Sequence, residues 1–265
     1  MHIVKTFLTI IKCLFRARFE YPGAFLGGIV AQWVSYAISI LMIYIMVWNF
    51  GALAGWQPVE VIFLYAVGLL TYALGASFTF TMCINFPQMA INGTIDEAYT
   101  RPVPPFIYIM ATNFNVAYIS HISLTAVVLG VSIFQLGLSW TIFQWLWFVV
   151  LIISGAIITG CLMLICDMPA IRTRSQSPTS MLFWQVRAFN EYPIIIYPRP
   201  FQLLFTTVLP FGFVAFYPIQ VLLGRHDGIF PQLTRWLSPL VAVLTIGVTV
   251  LCWRILSSKY ESAGT

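Results

Sequence analysis

The chain has 265 residues, of which 60% are hydrophobic and 8% charged, with a mean hydropathy of +0.90 and a formal net charge of +5. Soluble domains carry about 25% charged residues, so water is not the main solvent of this chain. The basic residues stand at the ends of apolar runs rather than in one patch, which argues for membrane topology and against a nucleic-acid binder.

Uncharged runs of 39, 35 and 65 residues separate Glu20 from Glu60, Glu60 from Asp96, and Arg101 from Asp167. About 20 apolar residues cross the hydrocarbon core as a helix, so the first two runs hold one span each and the third holds a hairpin of two. The alternation of a lipid-facing barrel is missing. The expected fold class is therefore an all-α polytopic membrane protein. It has an interfacial helix over residues 1–22 and a single six-span transmembrane domain over residues 23–265.

Within residues 1–22, Lys5, Thr9, Lys12, Arg16 and Glu20 form a polar stripe at helical spacing, opposite Ile3, Phe7, Ile10, Leu14 and Ala17. Such a helix lies in the interface and touches membrane lipid. Lys12 interrupts its apolar core and no small-residue cleavage site precedes Arg16, so it does not read as a cleaved signal. Pro22-Gly23 ends it before a first span from about Ala24 to Trp48. There Gly23, Gly27, Ala31 and Ser35 recur every four residues as a face for close helix approach. A short loop with Trp56 and Pro58 leads to a second span, about Val61 to Asn85.

Residues 92–102 break the apolar pattern. Thr94 and Glu97 have the spacing of a capping box, Asp96 and Glu97 suit the positive end of a helix dipole and Arg101 its negative end, and Pro102 stops the turn. A helix this short is not stable alone. Either it is a solvated loop with a local cap, or the spans and a docking partner hold it.

Pro104-Pro105 opens a third span, about Phe106 to Phe134. Gln135 to Trp140 turns, and a fourth span runs from about Thr141 to Cys166, with Trp140, Trp145 and Trp147 as an aromatic belt. The polar stretch Asp167 to Thr179 follows, and Arg187 and Glu191 have i,i+4 spacing. Pro193, Pro198, Pro200, Pro210 and Pro218 punctuate the fifth region. Either one kinked span lies between Arg199 and Arg225, or the span starts earlier and residues 210–224 form a re-entrant element near the external surface, broken helices at membrane depth being tolerated where they line a cavity. The last span runs from about Trp236 to Trp253. With the N-terminus inside, the inner face holds eleven Lys and Arg residues (Lys5, Lys12, Arg16, Arg18, Arg101, Arg172, Arg174, Arg187, Arg199, Arg254 and Lys259) and the outer face two, Arg225 and Arg235. Both ends are thus expected in the cytosol.

Chemistry is sparse. His121 is the ionisable side chain expected at membrane depth, with Asn113 and Asn115 nearby. It is either a functional group or a neutral histidine hydrogen-bonded between helices. With no carboxylate in any expected span, ion-coupled carriage is disfavoured. His2, His121 and His226 are far apart, and Cys161 and Cys166 lack zinc-site spacing, so no metal is expected. No H-E-x-x-H and no Gly-Lys-Ser/Thr occurs, so the chain is not expected to be an enzyme or to bind ATP itself. Five cysteines in apolar or inner segments imply no disulfide framework. Tyr72, Phe78, Phe80, Phe205 and Phe211, with Thr71, Thr79, Thr206 and Thr207, either line a hydrophobic path or simply pack between helices.

The run Gly93-Thr94-Ile95-Asp96-Glu97 through Arg101-Pro102-Val103-Pro104-Pro105 resembles the inter-span loop of type-2 ABC exporter permeases, in a six-span bacterial branch. Tyr192-Pro193, followed by Leu209-Pro210-Phe211-Gly212-Phe213 and Tyr217-Pro218, is similar to a second segment of that branch. The resemblance covers the whole chain. It implies a bacterial cytoplasmic membrane protein in which residues 92–102 form a coupling helix seated on a separate ATPase subunit, which holds ATP and Mg. The contacts implied are Thr94, Asp96, Glu97 and Arg101 as polar groups and Ile95 and Tyr99 as apolar ones. It further implies a second permease subunit, identical or related. The second and fifth spans would line a path for hydrophobic or amphipathic cargo through Tyr72, Phe78, Thr79, Phe205 and Thr206. Pro210, Phe211, Tyr217 and Pro218 would form an external gate. A motor-independent channel or scaffold is the alternative, and an enzyme built on His121 a third.

Overall fold

A computed structural model describes residues 2–50, 52–225, 227 and 237–258. The expectations placed on His226, Arg235, Trp236 and Lys259 lie outside the described residues. Among these residues the regular secondary structure is all helical, apart from an isolated bridge between Leu53 and Trp56. Five helices are long and apolar enough to cross a membrane, or six if one bent pair counts as a span.

The first helix, α1 (His2–Phe19), keeps Lys5, Thr9, Lys12 and Arg16 exposed and turns Phe7, Ile10 and Leu14 inward. Phe7 stacks on Phe78 at 6.4 Å and Phe15 on Phe114 at 6.1 Å. Pro22 then opens α2 (Pro22–Phe50), as expected from a residue that fits the first turn of a helix but not its interior. Along α2, Leu26, Val30, Val34, Ile38, Met42 and Ile45 are exposed, as suits hydrocarbon. The small-residue face at Gly23 and Gly27 meets nothing within 4 Å, so the close approach expected there is not made within this chain.

The centre of the molecule is α3 (Pro58–Ile91), buried along most of its length. Its start is fixed by Pro58 in the first turn and by Glu60, whose carboxylate accepts the Gln57 backbone N–H at 2.8 Å. Close approach occurs here instead: a Cβ on Gly75 would stand 2.4 Å from the Ala156 carbonyl oxygen, and one on Gly155 2.6 Å from that of Val214. Gly75 and Gly155 therefore set the spacing between α3 and its neighbours.

After α4 (Thr94–Thr100) the expected third span is broken. It consists of α5 (Pro105–Thr112), a 3₁₀ turn at Val116–Tyr118, and α6 (Ile119–Gln135). The break at Asn113–Asn115 would strand backbone groups at membrane depth. Instead, Asn115 N–H donates to Ser77 O at 2.8 Å, its Nδ2 donates to Thr81 Oγ1 at 3.1 Å, and its Oδ1 accepts from Ala117 N–H at 3.0 Å. Asn85 Nδ2 donates to Asn113 Oδ1 at 3.2 Å. Four side chains thus tie the break to α3.

The helix α7 (Ile142–Asp167), capped by Thr141 and Gln144, runs parallel to α3 and carries Trp145 against Trp140 at 4.8 Å. A short α8 (Pro169–Thr173) leads to α9 (Pro178–Arg187). Thr179 Oγ1 donates to the Cys166 carbonyl, fastening the start of α9 to the end of α7. From there α9 climbs: Trp184 packs edge-on to Phe80 and Tyr72, Arg187 lies over Tyr72, and Asn190 reaches Gly68. After 3₁₀ turns at Ala188–Glu191 and Ile194–Ile196 come α10 (Arg199–Leu203), continued by a π turn over Leu204–Val208, and then α11 (Phe216–Leu223). These last two limbs are bent by 75°. Their apex, Phe211, meets Phe183 of α9 at 5.8 Å, while Arg225 beyond α11 bonds Glu60 at the start of α3. A bend of this size fits either a broken span or a re-entrant pair. The last span is α12 (Leu237–Ser257), packed on α7.

One sequence expectation needs correcting. Arg187 does not lie at the inner face. It sits over Tyr72, 14 residues into α3, which is about 21 Å from that helix's start at 1.5 Å per residue. Arg187 and Glu191 therefore lie alongside α3 between its two ends, where His121 was the ionisable side chain expected. The gap lay in the composition: two charges interrupt the fifth region and hide its span from any hydropathy reading.

Candidate functional site

Three places concentrate polar or shaped features: the short helix α4, the cluster at Tyr72, and the bent pair.

The capping box expected in α4 is not formed. Gly93 is the cap residue, at φ 69° with no side-chain cap bond. That left-handed conformation suits glycine, and it turns the chain so that Thr94 begins the helix instead of capping it. Freed from capping, Glu97 accepts a bond from Arg101 at 2.5 Å, one turn on. Arg101 also lies 5.6 Å over the Tyr108 ring. The Glu97 bond, more than anything else, raises the Arg101 pKa above its usual value. Ile95 (2% exposed) and Ala98 (0%) anchor α4 on the rest of the chain, while Tyr99 stays 50% exposed. Of the two apolar contacts expected here, Ile95 serves the chain's own core and Tyr99 faces outward. Thr94 and Asp96 are half-buried.

The path residues fall into three separate places. Tyr72 belongs to an aromatic cluster, its hydroxyl 3.0 Å from that of Tyr118, with the His121 ring 4.7 Å from Tyr118 and 5.2 Å from Tyr36. His121 Nδ1 is 3.2 Å from Ser120 Oγ, its neighbour on the same helix, rather than bonded between helices as in the plainer role. Among the described residues no group of three metal-ligating side chains occurs. Phe78 and Thr79 line a different feature, an apolar cleft of about 500 Å³ between α3, α5, α7 and α12. Phe205 packs against Phe189 and Tyr197, and Thr206 Oγ1 lies 2.8 Å from Tyr217 Oη, both within the bent pair.

The gate residues Pro210, Phe211, Tyr217 and Pro218 are all buried at or near the bend. A Cβ on Gly212 would meet the Tyr217 ring at 2.7 Å, which explains the small residue there. Val214 lies against Gly155, 13 residues into α7, so the bend packs about 20 Å along that helix from its start. Sequence reasoning missed the clasp that holds this pair. Arg225 Nη1 donates to both Glu60 oxygens at 2.9 Å, Nη2 donates to Gly55 O at 2.8 Å and Nε donates to Asp227 at 3.0 Å. Burial alone would lower the Arg225 pKa, but the bonds to Asp227 and Glu60 outweigh it and raise it. A signal was available: Arg225 and Glu60 both border apolar runs at the same membrane face.

At the Tyr72 cluster, the Arg187 guanidinium lies 3.7 Å from the ring centroid.

Apolar helices of spanning length make this an integral membrane protein. No curated protein and no solved structure matches the chain. A family model described as "ABC-2 family transporter protein" matches residues 33–264. The chain belongs to that family, as a non-catalytic membrane permease subunit of an ABC transporter that works with a separate ATPase subunit.

Proposed function

We propose that the protein is the permease of an ATP-driven exporter in a bacterial cytoplasmic membrane, with α4 as the coupling helix that seats on the ATPase subunit. The observation that carries the reading is the two-sidedness of α4: Ile95 and Ala98 fasten it inward, while Glu97, Tyr99 and Arg101 are left exposed as a polar and aromatic face. A push on such an anchored helix moves α3 and α5, on which it packs. The broken third span and the bent pair are then elements with two arrangements, biased by the nucleotide state of the partner, which holds ATP and Mg. Two permease subunits, identical or related, enclose the path, and the exposed apolar faces of α2 and α12 support such a partnership as well as lipid contact. The charge pattern supports cytosolic ends for both termini. Leaving out Arg187, Arg199 (whose side follows from how the fifth region crosses) and the two residues outside the described ones, Arg235 and Lys259, eight Lys and Arg residues flank the α4 side against one, Arg225, on the other. The cargo is hydrophobic or amphipathic.

Charge reversal tests the docking role. Glu97→Arg or Arg101→Glu inserts normally into the membrane but abolishes ATP-driven export. The double variant carrying both keeps the pair within the helix while reversing the face shown to the partner. It is expected to stay inactive. Full recovery in the double variant would make the pair a helix staple only and remove the docking assignment.

A further inference from the structure

Arg187 ends α9 with its guanidinium over the Tyr72 ring at 3.7 Å, between the second and fifth spans. Among the described residues it makes no hydrogen bond and no ion pair within 4.0 Å, and the carboxylate that acts on it from further off is Glu191. Glu191 is one turn further along and lines the same small cavity, with Tyr65, Gly68, Leu69 and Asn190, yet it does not close on Arg187. The local backbone explains this. Ala188–Glu191 winds as a 3₁₀ turn, so the two side chains are offset by about 120° around the axis instead of the roughly 40° of an α-helix. The cavity between them, about 20 Å³, has room for one water, so an oxyanion would meet Arg187 from its half-exposed side outside this cavity. The five N–H donors of Arg187, arranged as a planar fork suited to oxyanions, are thus held in place by Tyr72 and left unused. One turn back, Trp184 and Phe80 form a half-buried aromatic surface, with rings 5.6 Å apart.

We propose that Arg187 is the anion-binding group of the transport path: it takes the phosphate, sulfate or carboxylate head of an amphipathic ligand whose apolar body lies on Trp184 and Phe80. The stacked ring fixes the fork's orientation, so a two-pronged oxyanion is preferred over a cation or a neutral head of equal chain length. Glu191 opposes anion binding and so limits residence, as release from a transport site requires. That the ligand is cargo rests on the exporter reading above.

The test uses the full chain purified in a neutral maltoside detergent, with hexyl phosphate as probe and thermal unfolding as readout. Hexyl phosphate is expected to stabilise the protein saturably and hexyltrimethylammonium not at all. Arg187→Gln is expected to weaken the hexyl phosphate response at least tenfold, and Arg187→Lys by less. Glu191→Gln, which leaves Arg187 in place, is expected to tighten it. An unchanged response in Arg187→Gln, equal stabilisation by the ammonium compound, or weaker binding in Glu191→Gln overturns the proposal. In nanodiscs, competition by phosphatidylglycerol relative to phosphatidylcholine identifies the anion as a lipid headgroup, and its absence identifies free cargo. Either result supports an anion at Arg187. The Glu97 and Arg101 reversals leave this binding intact, so a failure of motor docking is distinguishable from a failure of the anion site.

Discussion

Asn115 does three jobs with one side chain and its own backbone. It bonds Ser77 O, Thr81 Oγ1 and Ala117 N–H where the helix between α5 and α6 is interrupted. In water such a break is harmless, because solvent completes the ladder. At membrane depth each unmet backbone group is expensive, and removing a buried partner costs about 1–3 kcal/mol per group left unsatisfied. Asn115→Leu is therefore expected to lower stability by about 2–4 kcal/mol, since more than one group is stranded, although the side chain becomes more apolar. A thermal unfolding midpoint at or above that of the unaltered protein would exclude the clasp role. At this scale, reading the sequence found the residue but not its task. Asn113 and Asn115 stood out as polar groups in an apolar run, yet nothing in a linear pattern pairs them with Asn85, Ser77 and Thr81 on another helix. Arg187 was harder still, since its i,i+4 spacing to Glu191 promised a surface pair that the 3₁₀ turn prevents.

Spans follow from hydropathy, so α2, α3 and α7 lie where the uncharged runs place them. Which helices touch was less legible. A small-residue stripe marks a face that permits close approach but not the chain that supplies the partner. The stripe on α2 is open here, whereas Gly75, a single glycine in a run of larger residues, meets the Ala156 carbonyl directly. Gly75→Val is expected to force α3 and α7 apart. Overpacking of this kind costs about 1–3 kcal/mol, a fall in the unfolding midpoint of roughly 3–10 °C for a chain of this size. Gly130→Val, at a position with nothing within 4 Å, serves as the comparison and is expected to change little. Equal midpoints for the two variants would contradict the crossing at Gly75. The fifth region failed as a hydropathy pattern for a related reason. It is built from α9, two 3₁₀ turns and limbs bent at 75°, and a segment this broken is tolerated in a membrane where neighbouring helices cover it.

On the scale of the whole molecule, the helices divide into a buried axis and an exposed rim. The axis is α3, largely enclosed, with the α4 anchor at one end and the Glu60–Arg225 clasp at the other. A displacement applied at α4 is therefore delivered to an element whose far end holds the bent pair in place. Coupling by this route needs α4 to face the compartment that contains ATP, a condition that the charge pattern supports. Thr94→Cys, in a chain whose Cys13 is replaced by serine, is expected to resist a membrane-impermeant maleimide applied to intact cells and to react once the membrane is opened. The same cysteine borders the face assigned to the ATPase, so assembly with that subunit is expected to slow its labelling at least tenfold. A cysteine placed at Ser139, in the turn at the opposite end of α7, is expected to label from outside whether or not the motor is present. If instead Thr94→Cys labels in intact cells, α4 is on the wrong side for any cytosolic engine. If it labels at the same rate with and without the ATPase, the engine engages some other part of the permease, and the α3 axis loses its role as the transmitting element.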